Sequence, residues 1–153
     1  MPGPQHPMDT IMMIAPRFDE IGLKWMLAGS VAGLMYGHTR GTDDIDIVFD
    51  RHCVIAPIVT GALLPEYSLD MQMFRDTLRT GMMCNAIAQH GGPKIDLVPL
   101  GDDLFSKLSF ERRRRIEWHG IMVPVIREDH LVISKPVRRR SHSPSDNWAT
   151  FGR

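Results

Sequence analysis

Asp44 and Asp46 stand two apart in Asp44-Ile45-Asp46-Ile47, where apolar and acidic residues alternate with the period of a β-strand. Successive side chains of a strand point to opposite faces, with a rise of about 3.3 Å per residue. Both carboxylates therefore project from one side while Ile45 and Ile47 enter the core. Two carboxylates held that close repel each other. A divalent cation between them relieves the repulsion, and all-oxygen donors favour magnesium or manganese. Read alone, the same pattern also suits a strand with a solvated polar face.

Two further features bear on that choice. Gly29-Ser30 follows the apolar run Trp25-Met26-Leu27-Ala28, which reads as a short buried strand, and precedes Val31, Ala32, Leu34 and Met35 at helical spacing. Free backbone N–H groups at such a junction can hold phosphate oxygens, although a tight turn with a serine cap has the same composition. A third acid, Asp96, stands in Lys94-Ile95-Asp96-Leu97-Val98, an alternating strand introduced by the turn His90-Gly91-Gly92-Pro93. Together the three features point to a metal site far more strongly than any one of them alone.

In this order they resemble the nucleotidyltransferase superfamily, the DNA polymerase beta-like fold. Its pattern is an apolar residue, Gly, Gly or Ser, a spacer, then Asp-apolar-Asp/Glu-apolar and a later acid. Ala28-Gly29-Ser30, the spacer 31–43, Asp44 to Ile47 and Asp96 match it. Arg40, Thr42, Asp44 and Asp46 also match the Arg-x-Thr-x-Asp-apolar-Asp stretch of small bacterial nucleotidyltransferases, among them toxins of abortive-infection and toxin–antitoxin systems. The resemblance runs on through Glu128 to Lys135.

It implies Mg²⁺- or Mn²⁺-dependent transfer of a nucleoside monophosphate from an NTP to a hydroxyl acceptor, which could be a tRNA, a protein or a small molecule. Asp44 and Asp46 would bridge two cations, about 3.5–4 Å apart in such sites. Asp96 would ligate one of them and help to accept the hydroxyl proton. Gly29 and Ser30 would hold phosphates, Arg40 would neutralise the departing pyrophosphate, and Thr42 and Lys135 would complete the nucleotide site. The competing reading is a catalytically silent interaction module of the same fold, such as a toxin–antitoxin component.

The elements that must position these residues follow from periodicity. Asp9 to Ile21 predicts a helix capped by Asp9 or Thr10, and Cys53 to Leu64 and Leu69 to Leu78 predict two more. Met82 to Ala88 is expected to pair with the Lys94 strand as a hairpin. Asp102 to Arg115 predicts a helix ending in four arginines, Ile121 to Ile126 a strand, and Glu128 to Lys135 a last helix. The fold class expected is α/β (or α+β), with a small mixed twisted sheet, helices mainly on one side and the cleft on the other.

Length supports one domain over residues 1–135. From Pro136 the composition changes to Arg, Ser, Asp and Gly, and the segment 136–153 reads as an irregular tail. Back-translation of Ser145 to Phe151 in the neighbouring frame can spell ERQLGDV, close to the ending of the family, so a frameshift upstream is expected. A chain lacking the final helix of its relatives would leave apolar surface for a second copy or an antitoxin partner.

The 18 acidic and 18 basic residues balance, so no global field draws the chain to nucleic acid or to an anionic membrane. No apolar run is long enough to span a bilayer and no leader is visible. Cys53 and Cys84 form neither a disulfide framework nor a metal set and read as two buried, reduced thiols, which suits the cytoplasm. The seven histidines lack metal-site spacing and read as surface residues.

Overall fold

The computed structural model describes residues 6–38 and 44–134. Seven strands form one mixed sheet. They are β1 (Trp25–Ala28), β2 (Asp44–Phe49), β3 (Tyr67–Ser68), β4 (Cys84–Ala88), β5 (Lys94–Pro99), β6 (Arg114–Trp118) and β7 (Ile121–Val125). The helices are α1 (Pro7–Glu20), α2 (Gly29–Met35), α3 (Ala56–Leu63), α4 (Met71–Thr80), α5 (Leu104–Glu111) and α6 (Glu128–Ser134). The strand order is β3-β4-β5-β2-β1-β7-β6. β2 lies at the centre, antiparallel to β1 and parallel to β5.

Alternation in the central strands divides the sheet into two faces. Trp25, Leu27, Ile45, Ile47, Phe49, Ile95 and Leu97 are all buried on one of them. α1 and α4 cover that face. Phe18 of α1 meets Trp25 edge-on, with ring centroids 5.4 Å apart, and Phe74 of α4 lies 5.8 Å from Phe49. Each such aromatic, fully removed from water, contributes roughly 1.5–3 kcal/mol. Met26, Ala28, Asp44, Asp46, Val48, Asp96 and Val98 alternate onto the opposite face. α5 and α6 shelter part of it, so helices flank both sides rather than mainly one.

Several boundaries differ from the sequence reading, each for a local or a long-range reason. α1 begins at Pro7, whose missing N–H costs nothing at a first turn. The cap is therefore His6, whose Nδ1 accepts from Met8 N at 3.1 Å, and not Asp9 or Thr10. The helix expected from Cys53 is a short 3-10 turn over Arg51–Cys53 followed by α3. α5 stops at the C-cap Arg112, and Arg114 and Arg115 belong to β6. Thus the arginine run does not end a helix. It crosses into an edge strand, where charged side chains discourage pairing with another chain. Arg113 leaves the run altogether: its guanidinium caps the Phe110 carbonyl at 2.6 Å and lies over the Phe110 ring.

Cys84 is buried as expected, but Cys53 is exposed. The reading of all histidines as surface residues fails at His130, which is buried against Phe105. Among the described residues no helix is long and apolar enough to cross a membrane.

Candidate functional site

Strand register assembles the acids. Asp46 of β2 stands opposite Asp96 of β5 on one side and opposite Ala28 of β1 on the other. Asn85 of β4 faces Asp96 from beyond. One row across the sheet is thus Ala28, Asp46, Asp96, Asn85. Asp44 lies one step along the same face, opposite Lys94. Register thus sets the three predicted carboxylates, two from β2 and one from β5, on one face of the sheet.

Their surroundings differ. Asp46 and Asp96 are 5% and 3% exposed, whereas Asp44 is partly open to solvent. Burial pushes the Asp96 carboxyl above the ordinary carboxylate range. The Lys94 charge pulls it down, while the charges of Asp46 and Asp44, and the hydrogen bond shared with Asp46, push it up. Lys94 Nζ lies 3.7 Å from Asp96 Oδ1 and 4.0 Å from Asp44 Oδ2, so the chain places its own cation among the acids.

β1 ends where this row begins. Gly29 has φ of +67°, a left-handed conformation that costs glycine little and turns the chain directly into α2. The residue capping α2 is Ala28, which offers no side-chain acceptor. Ser30 is therefore not the cap that a plain turn would make of it. It sits within the first turn, and the adjoining N–H groups receive no side-chain cap.

Below the acids, on the same face, a cavity of about 320 Å³ opens between the sheet and α5 and α6. Gly29 and Asp46 border it at the acid end, Met26, Val48 and Val98 form its floor, and Phe105 and Ser109 cover it.

Arg40, Thr42 and Lys135, expected to complete the nucleotide site, lie outside the described residues. Lys94 and Asn85 were missed. The alternation that places Asp96 also places Lys94 on its face, so that much was readable. The meeting with Asp44 depends on parallel register between strands 50 residues apart (44 against 94).

No protein-family model matches the sequence, and no curated protein matches it either. Among solved structures, the chain is similar to a Thermotoga maritima protein described as a "putative nucleotidyltransferase". The TM-score is 0.53 at 15% identity, over 86% of this chain and 85% of that one. The chain has the nucleotidyltransferase fold. Within this nucleotidyltransferase fold, the three acids lie on β2 and β5, and Gly29-Ser30 follows β1, the other neighbour of β2.

The donor set suits a hard divalent cation: three carboxylates lie on one face, and burial first, then the charges of Asp46 and Asp44, make a negative charge on Asp96 costly without a cation. Among the described residues, no three His, Cys, Asp or Glu side chains already converge as a cage. Lys94 lies between Asp44 and Asp96, and a cation joining them must displace its ammonium.

Proposed function

We propose that the protein is a Mg²⁺- or Mn²⁺-dependent nucleotidyltransferase, moving a nucleoside monophosphate from an NTP to a hydroxyl acceptor. One observation carries this reading: the in-register pair Asp46 and Asp96, with Asp44 on the same face, beside the uncapped Gly29-Ser30 turn.

Asp44 and Asp46 would hold the cations, with Asp96 sharing one of them. Bound there, the metal supplies positive charge against the triphosphate and acidifies the attacking hydroxyl. Gly29 and Ser30 orient the phosphates through their N–H groups and the Ser30 hydroxyl. The acceptor oxygen bonds to the α-phosphorus as the bond to pyrophosphate breaks, and pyrophosphate leaves with that electron pair. The acceptor proton would pass to the Asp96 carboxylate. Lys94, one register step away, balances the charge of the acids before the nucleotide arrives. Arg40, Thr42 and Lys135 are assigned on the resemblance alone: Arg40 to the departing pyrophosphate, the others to the nucleotide. The protein would act in the cytoplasm, where NTPs and Mg²⁺ are plentiful and the thiols of Cys53 and Cys84 stay reduced. An antitoxin partner is supported only by the resemblance of the Arg40-x-Thr42-x-Asp44-x-Asp46 stretch to such toxins.

The test is transfer of label from α-³²P NTPs to tRNA, protein or aminoglycoside acceptors, with wild type beside Asp46→Ala. Label transferred by wild type and lost in the variant supports the assignment. If neither labels any acceptor and neither binds nucleotide with Mg²⁺, the protein is a silent module of the same fold.

A further inference from the structure

The cavity beneath the acids has two properties that packing does not require. Its walls are mainly apolar, yet the Ser109 hydroxyl on α5 is buried among them at 2% exposure without a hydrogen-bond partner. A buried hydroxyl left unpaired costs about 1–3 kcal/mol, and native interiors seldom keep one without a use. Ser109 even forgoes the usual bond of a helical serine to the carbonyl one turn back. A ligand that brings an acceptor or donor to this position relieves the cost.

Size and lining narrow the ligand. A volume of about 320 Å³ is near the lower end for small-molecule pockets, enough for one compact ring system. Met26, Val48, Val98 and Leu131 give a surface against which a flat apolar face packs, and Phe105 supplies an aromatic ring. A sugar bristling with hydroxyl and amino groups would find too few partners there. A planar heterocycle with polar atoms only on its rim would not.

Position narrows it further. The cavity touches Gly29 and Asp46, the phosphate and metal ends of the proposed site. Asp96, proposed to take the acceptor proton, does not line it. We infer that the cavity receives the base of the nucleoside triphosphate, flat between the sheet floor and Phe105, with its rim hydrogen-bonded to Ser109. This rests on the proposed nucleotidyl transfer and adds to it the location of the base and the residue that reads it.

Binding of each of the four ribonucleoside triphosphates and of inorganic tripolyphosphate, all with Mg²⁺, separates the two ideas. Tripolyphosphate reports the phosphate and metal site alone. The full-length protein should bind its preferred NTP at least tenfold more tightly than tripolyphosphate. Ser109→Leu, which removes the hydroxyl and fills the space, should abolish that preference while tripolyphosphate still binds. In wild type, ¹³C-methyl signals of Met26 and Met83 should move with the NTP and not with tripolyphosphate, a readout that needs no variant to fold. Equal binding of NTP and tripolyphosphate, still methyl signals, or a folded Ser109→Leu that keeps the preference overturns the base pocket and leaves the transferase reading standing. Failure of both ligands to bind overturns both.

Discussion

Lys94 Nζ lies 3.7 Å from Asp96 Oδ1, and the same ammonium is 4.0 Å from Asp44 Oδ2. The lysine and Asp44 are about half exposed, so their contact is screened and contributes at most about 1 kcal/mol. Its larger consequence is competition, because an incoming cation must take over the same oxygens.

Lys94→Gln is accordingly expected to tighten Mg²⁺ binding severalfold in the absence of nucleotide, while lowering metal-free stability slightly. Calorimetric titration of both proteins with MgCl₂ at fixed ionic strength checks this. An unchanged or weaker Mg²⁺ affinity in the variant means that the lysine does not compete.

Asp96 holds its proton more tightly in the folded chain than in the unfolded one, chiefly through burial. Folding therefore takes up a proton between the ordinary carboxyl pKa, about 3.9, and the raised one. Stability falls as pH rises through that window, and the penalty persists above it. Without Mg²⁺, Asp96→Asn should melt higher than wild type at neutral pH, by roughly 2–4 °C for each kcal/mol relieved. The gap should close on acidification towards the ordinary carboxyl range. Parallel melting curves across pH would falsify the buried-charge account.

Mg²⁺ with the preferred NTP should stabilise wild type by about 2.7 kcal/mol at a hundredfold excess over Kd. Asp46→Ala should lose nearly all of this shift, because the carboxylate removed is one of the two buried ones. Thermal melts with Mg²⁺ alone, NTP alone and both together show whether metal and nucleotide depend on each other through this residue.

The two cysteines should react very differently. Cys53 is exposed, whereas Cys84 is buried and its thiol is pushed above the usual range, first by desolvation and further by the Asp96 charge, against a lowering contact with Thr77. A thiol-titrating disulfide reagent should find one fast group in the native protein and a second only on unfolding, and Cys53→Ser should remove the fast one. Two fast groups in wild type would contradict the burial of β4.

Phe18→Ala should cost about 3–5 kcal/mol, since it empties a fully buried site against the Trp25 ring. Trp25 fluorescence should shift to the red in the folded variant. A loss below about 1 kcal/mol would show that the α1 face of the core collapses around the gap.

How much of this was legible beforehand depends on the range of the forces involved. Period-two alternation is a property of a few neighbouring residues, so Asp44-Ile45-Asp46-Ile47 and Ile95-Asp96-Leu97 announced their strands and their polar face directly. Gly29 was readable as a turn for the same reason. The boundaries of α5 and β6 were not, because nothing within Glu111 to Arg115 stops a helix. β6 exists because β7 offers it hydrogen bonds.

The amino-acid sequence by itself determined which side chains could carry charge or bind metal, and which face of each strand they occupy. Tertiary structure alone decided that Asp46 meets Asp96, that Lys94 falls between Asp44 and Asp96, and that Ser109 is sealed without a partner over an apolar cavity. Those outcomes depend on strand order, register and helix packing, which are set by the burial of the whole core and by pairings between distant segments. The acids with which the reading began are therefore a property of the sequence, and the site they form is a property of the fold.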